Sequence, residues 1–292
     1  MDVVLIFNGL GNQMSQYSFY EQKRNISKST YFILFCNDHN GLELNKVFNI
    51  NCKESIVHKM LYLLFRLLLT YKLPFITKPI QKILGKLNCK IVHENFDYNF
   101  KKEYLEKSKG ITFYYGGWHS EKFFMSMKDE LKSQFRFNKP EDTENIHIIN
   151  DISSKNSVSI HVRRGDFLNE ENINLFGDVC NKSYYETAID LIKTKVNQPH
   201  FFIFSNDMEW VKENLKIDNV TYITCNTDEN SWKDMYLMSL CQHNIIANST
   251  FSWWGAWLNK NANKVVISPS RFLKNDKRTD VYPDSWIKLA DY

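Results

Sequence analysis

The chain has 292 residues, 43% of them apolar and 15% aromatic, and a formal net charge of +4. That supplies apolar material for one large core or two ordinary ones, and it is too little charge to argue for a nucleic-acid partner. Six cysteines with no Cys-x-x-Cys and no zinc spacing predict free thiols and a reducing compartment.

DVVLIFN (2–8) reads as the first strand. Its apolar run is short and no basic segment precedes it, so it does not read as a signal peptide, and a cytoplasmic protein is expected. GLGNQ (9–13) reads as a tight loop. Glycines there let backbone amides approach a ligand, and the Asn12–Gln13 amide pair suits sugar hydroxyls. MSQYSFYEQKRN follows as a helix and YFILFCND as a second strand. The same opening also fits the start of a dinucleotide fingerprint, with Asp38 as the ribose acid. Met14 in the third glycine's place weakens that alternative.

Residues 53–90 carry eight Lys or Arg against one acid, Glu54. KMLYLLFRLLLTYKLPFITKPIQKIL within it reads as helix broken at Pro74 and Pro79. Val57, Leu61, Leu64 and Leu68 share a stripe that Leu63, Leu67 and Leu69 widen. One reading is a core helix followed by basic surface. The other is a patch that makes peripheral contact with an anionic membrane. No run of about 20 apolar residues predicts a membrane-spanning helix.

The polar stretch 138–156 is expected to separate an N-terminal domain, 1–150, from a C-terminal one, 151–292. In the second half strand-like runs alternate with helical ones: SVSIHV (157–162), HFFIF (200–204), VTYIT (220–224), NIIA (244–247) and KVVIS (264–268). SYYETAIDLIKTKV places Tyr185, Ala188, Ile189, Ile192 and Val196 on one stripe, with Ser183 and Glu186 as a capping box. MEWVKENLK, SWKDMYLMSLC and FSWWGAWLN read as further helices. This alternation predicts a parallel, doubly wound sheet; two such sheets facing a cleft is the economical architecture.

Chemistry concentrates at the ends of these strands. In SVSIHVRRGDF, Arg163 and Arg164 fall where an alternating strand runs out, the edge at which open α/β sheets bind ligands. Adjacent guanidiniums there point to an anion, and a diphosphate suits their forks. Asp166 is either their counterion or catalytic. In IFSND, Asp207 either caps the next helix or accepts from the N–H/NH₂ edge that guanine offers and adenine does not. Asn248, Ser249 and Thr250 present amides and hydroxyls at a helix start, while the tryptophans that follow read mostly as packing. No Asp-x-Asp occurs, so arginines rather than a metal are expected to neutralise a leaving diphosphate.

GLGNQ, YYGGWHSEKFF (114–124), HVRRGDF, FGDVCNKSYYETAI (176–189), FIFSND and IIANSTFSWWGAWL stand in an order that resembles bacterial α-1,2-fucosyltransferases of glycosyltransferase family 11. The resemblance implies an α/β fold of the GT-B type with two Rossmann-like domains. It implies GDP-β-L-fucose as donor, inversion, no metal or other cofactor, and the 2-hydroxyl of a galactose-containing glycan as acceptor. Residue by residue, it gives donor binding to His161 and Arg163, with Arg163 on the diphosphate and so catalytic. Asp207 would read guanine, Asn248, Ser249 and Thr250 would line the phosphate side, and Gly9, Gly11 and Asn12 would approach the fucosyl end. Asp166 and Glu171 are the nearest carboxylates for a base. The chain departs from the family where Asn206–Asp207 stands for two aspartates and Phe176–Gly177 for His-Gly. A non-catalytic sugar or nucleotide binder and a nicotinamide-dependent oxidoreductase are the rival readings.

Overall fold

A computed structural model describes residues 1–37, 39–69, 79, 82–86, 88–276 and 279–290. Asp38, Lys72, Pro74 and Lys78 lie outside the described residues. The chain divides into two compact units, Met1–Arg136 and Phe137–Tyr292. The division therefore falls earlier than the expected 150/151 boundary. The polar stretch contains a helix cap, not only a linker: the Asp142 carboxylate accepts from the Asn145 N–H at 2.9 Å. Asn145 also exchanges side-chain amide hydrogen bonds with Asn226, at 2.9 and 3.0 Å, which tie this helix to the second unit.

The first unit comprises β1 (Asp2–Phe7), α1 (Leu10–Ile26), β2 (Thr30–Phe35), α2 (Leu44–Phe48), α3 (Ile56–Leu69), β3 (Lys90–His93), β4 (Thr112–Tyr115) and α4 (Lys128–Gln134). Its sheet runs β2-β1-β4-β3, all parallel. Val3, Leu5, Ile33 and Phe113 pack against Leu61 and Phe65 of α3 on one face. Helix α1 is buried nearly throughout. Its Phe19 ring stacks on Trp118 at 4.4 Å, and its Lys23 ammonium is fully buried, 3.2 Å from Asp2 and donating to the carbonyls of Tyr104 and Glu106.

GLGNQ is not a loop. The helix starts at Leu10 with Gly9 as N-cap, so Gly11 and Asn12 sit in its first turn, and Asn8 takes the positive φ of 63°. The cause is tertiary: Glu43, far along the chain, accepts the Leu10 N–H at 2.8 Å. Gln13 is consumed in the same network. Its amide donates to the carbonyls of Asn8 and Gly41, and its oxygen accepts from the Glu43 N–H.

The second unit comprises α5 (Thr143–Ser154), β5 (Ser157–Val162), α6 (Lys182–Lys195), β6 (His200–Ser205), α7 (Met208–Asn214), β7 (Val220–Ile223), α8 (Trp232–Leu240), β8 (His243–Ile245), α9 (Thr250–Leu258), β9 (Val266–Pro269) and β10 (Ile287–Leu289). The sheet order is β10-β9-β8-β5-β6-β7, all parallel. Val158, Ile160 and Val162 face Tyr185, Ala188, Ile189 and Ile192 of α6. Phe202 and Phe204 face Leu237 and Met238 of α8 on the opposite side. Helices thus cover both faces, as the near-continuous apolar strands require. β10 is an element that the sequence reading omits. The cap of α6 is Asn181, whose side chain accepts from the Tyr184 N–H at 3.0 Å, rather than Ser183; Glu186 pairs with Lys182 instead.

Beyond β3, Glu94 is buried and accepts from the N–H groups of Gly117 (2.6 Å) and Trp118 (3.2 Å), just past β4. Gly116 is required for this approach, because a Cβ there would lie 2.6 Å from the Glu94 side chain. Burial raises the Glu94 carboxyl from an ordinary 4.5 to about 7, against the two amide hydrogen bonds that favour its charged form. The native state therefore binds this proton more tightly than the unfolded chain. The stability it contributes is fully present below about pH 4.5 and is lost as pH rises through 7. Glu94→Gln is expected to flatten the fall in melting temperature across that window and to melt higher than wild type above pH 7. Parallel pH profiles for the two proteins would contradict it.

Candidate active site

The second sheet reverses its winding beside β5. From β5 the chain moves outward to β6 and β7, then returns to β8 on the other side of β5 and continues to β9. The crevice outside the carboxyl ends of β5 and β8 is thus a topological switch point, where open α/β sheets bind ligands. The β5–β8 pairing ends at Ile160 and Ile245. The next carbonyls, of His161 and Ile246, accept the hydroxyls of Tyr185 (3.2 Å) and Tyr184 (2.6 Å) from α6. These two bonds satisfy buried carbonyls where the strands part. The sequence reading takes Tyr185 only as part of an apolar stripe.

Arg163 leaves the end of β5 and is gripped along one edge. Its Nε lies 2.7 Å from Asp166 Oδ1, and its Nη2 donates to Asp166 Oδ2 at 2.8 Å. That uses the Nε–Nη2 edge of the guanidinium and leaves the Nη1 donors for an incoming anion. Asn206 completes the clamp. Its Nδ2 donates to Asp166 Oδ1 at 3.1 Å, while its Oδ1 accepts from the backbone N–H groups of Arg164 and Gly165. A side-chain carbon at Gly165 would lie 2.9 Å from that amide. An aspartate at 206 has no N–H to give, so the departure to asparagine fits a neighbour that is itself a carboxylate. Burial works to raise the Asp166 carboxyl, but the Arg163 bond and charge, with the Asn206 bond, hold it below its ordinary range. In this geometry Asp166 is the counterion of Arg163 and a weak base.

Arg164 is committed elsewhere. Its Nε is 3.3 Å from Asp207 Oδ2, and its guanidinium lies 4.0 Å from the centre of the Trp210 ring. Asp207 in turn caps α7, accepting from the Trp210 N–H at 3.2 Å. Both Asp207 oxygens are therefore engaged, and the cap is the role the geometry displays. His161 is buried next to Arg163, its ring 5.8 Å from that of Phe251. Burial, then the Arg163 charge, lowers its pKa to about 3, so the imidazole is neutral, and its Nδ1 has no hydrogen-bond partner among the described residues.

From the end of β8, Asn248 donates to the carbonyls of Phe176 (3.2 Å) and Phe272 (3.0 Å). It clasps two loops at the crevice. Ser249 caps α9 through the Phe251 N–H at 3.3 Å, and Thr250 opens that helix. Trp253, Trp254 and Trp257 are buried packing residues. Phe176 stacks on Phe167 at 5.0 Å. Glu171 is exposed. Arg163, Asp166, Asp207, His161 and the 248–250 turn therefore meet at one sheet edge. Gly9, Gly11 and Asn12 lie in the first unit, beyond β1 at that sheet's own switch point between β1 and β4.

The open edge of Arg163 makes a measurable expectation. Arg163→Lys keeps the charge but loses the fork, so binding of inorganic pyrophosphate should weaken by roughly 10–100-fold, with little change in melting temperature. Unchanged pyrophosphate affinity, read by calorimetry, would contradict this.

Comparison with known proteins gives the geometry a family. The model of glycosyl transferase family 11 matches residues 3–290. The chain is 32% identical over 303 residues to the O-antigen biosynthesis glycosyltransferase WbnK of Escherichia coli, covering 96% of this chain and 98% of that one. It is 32% identical over 301 residues to an alpha-1,2-colitosyltransferase of Escherichia coli, with 98% of each chain covered. It is 27% identical over 180 residues to galactoside alpha-(1,2)-fucosyltransferase 1 of Saimiri boliviensis boliviensis, covering 57% and 49%. Among solved structures, the fucosyltransferase NodZ from Bradyrhizobium superposes with a TM-score of 0.50 at 12% identity, over 87% of this chain and 91% of that one. That likeness is one of fold, and the two parallel α/β units are of the GT-B type. A whole-chain family match and two near-full-length relatives converge on one conclusion: the chain is a glycosyltransferase of family 11.

Proposed function

We propose that the protein transfers L-fucose from GDP-β-L-fucose to the 2-hydroxyl of a galactose-containing glycan, forming an α-1,2 linkage with inversion. The observation that carries this reading is the half-satisfied Arg163 fork at the β5/β8 switch point, a place for a diphosphate in a family of glycosyl transferases. The acceptor oxygen attacks C1 of fucose from the face opposite GDP as the C1–O bond to the diphosphate breaks; charge passes onto GDP through an oxocarbenium-like transition state, and the hydroxyl proton is lost to solvent water once the new C1–O bond has formed. The Nη1 donors of Arg163 meet that charge, and Asp166 holds the guanidinium in place. The neutral His161 adds no competing charge. Asn248, Ser249 and Thr250 shape the phosphate side. Asp207 reads guanine while keeping its cap, and Gly9, Gly11 and Asn12 stand at the fucosyl end.

The full-length likeness to a colitosyltransferase favours a second donor, GDP-colitose, which lacks the 3-hydroxyl of fucose. A site that hydrogen-bonds this hydroxyl rejects the deoxy sugar by roughly 10⁴-fold or more, while one that packs against the carbon takes both. The deciding experiment offers both donors with a panel of galactosides, follows GDP release, and determines the product linkage. GDP-fucose turnover with an α-1,2 product is the expected result. Turnover of GDP-colitose alone would move the reading to that sugar. Tight GDP binding with no turnover would leave a non-catalytic binder.

Among the described residues no group of three or more His, Cys, Asp or Glu is placed to hold a metal ion. The proposed mechanism gives the diphosphate charge to Arg163, so turnover should persist in excess chelator. Loss on chelation that Mg²⁺ or Mn²⁺ restores would contradict the arginine's role.

A further inference from the structure

Helix α3 has two apolar faces. Leu61 and Phe65 are buried against the first sheet, with Tyr62, Leu64 and Leu68 packed beside them. Ile56, Met60, Leu63 and Leu67 follow at steps of four, three and four, which return to one line on a helix. That line faces away from the sheet: the four are 77%, 64%, 62% and 42% exposed. Single exposed leucines are ordinary, but a full-length stripe of them is not. Lys59 and Arg66, one above the other, flank the stripe, and both are exposed. No acidic residue occurs anywhere in α3. In the flanking sequence, Lys53, Lys82, Lys86 and Lys90 are exposed as well.

We propose that this outer face of α3 docks on an anionic lipid surface, independently of which sugar the enzyme transfers. The helix has 14 residues, about 21 Å of rise, too short to cross a hydrocarbon core of about 30 Å. No described helix is long and apolar enough to cross a membrane. With its inner face fixed to the sheet, α3 lies flat, the stripe entering the boundary between headgroups and acyl chains and the basic residues reaching lipid phosphates. Charge decides against a second copy of the chain as the occupant. Two such helices facing each other would set basic residues against basic ones with only Glu54 to offset them from 53 to 90.

The test is co-sedimentation of the whole protein with phosphatidylcholine vesicles, with and without phosphatidylglycerol, at low and high salt. Wild type should bind the phosphatidylglycerol vesicles at low salt and release as salt rises. Lys53→Gln with Lys59→Gln should weaken this binding by roughly 25-fold, about fivefold per charge. Met60→Glu with Leu63→Glu should abolish it. All four positions are exposed, so circular dichroism and turnover of a soluble acceptor should match wild type in both variants. No binding of wild type to anionic vesicles at low salt would overturn the proposal. So would binding that neither variant alters, or a dimer in light scattering that Leu63→Glu dissolves.

Discussion

A guanidinium at the end of a strand buried on both faces needs a counter-charge, yet one that is fully neutralised has nothing left for a ligand. Arg163 meets both demands. Asp166 takes the Nε–Nη2 edge, at 2.7 and 2.8 Å, and the other edge stays open. Much of the second unit's local structure serves this arrangement. Asn206 reaches from the end of β6 to hold Asp166 and the backbone of Arg164 and Gly165. Arg164 is drawn aside by Asp207 and Trp210. Tyr184 and Tyr185 satisfy the carbonyls where β5 and β8 separate. An arginine held in this way pre-organises charge, which costs less at the moment of reaction than recruiting a mobile side chain from solvent.

The two units repeat one plan with different fittings. Each places its first strand in the interior of a parallel sheet and reverses its winding there. The second unit fills that switch point with a charged clamp. The first fills it with a helix start whose Leu10 N–H is taken by Glu43, and with a Gly-Gly turn held by Glu94. Leu10, Gly11 and Gln13 are buried there, while Asn12 stays partly exposed.

The second unit was largely legible because its strands alternate cleanly and carry turn residues between them; β5 spans the residues that SVSIHV names. The switch-point arginines were legible too, since the strand pattern itself says where the edge lies. What the pattern could not convey was partnership. Spacing of three residues allows Arg163 to meet Asp166, but the amide of Asn206, 40 residues from Asp166, completes the clamp. Glycine permissiveness in GLGNQ reads as a loop until the distant Glu43 carboxylate pins the first turn of helix. Apolar spacing in α3 reads Leu63 and Leu67 as widening the Leu61 stripe; only the packed sheet separates them, covering Leu61 and leaving Leu63 and Leu67 exposed. β10 has Lys288 at its centre and lacks the continuous apolar run that, in NIIA, marks the equally short β8.

The most direct measurement is a crystal structure of the protein with GDP. The diphosphate is expected outside the ends of β5 and β8, within hydrogen-bond distance of Arg163 Nη1, with Asp166 still on the opposite edge of the guanidinium. A diphosphate seated away from Arg163, with the Arg163–Asp166 pair intact and unused, would contradict it.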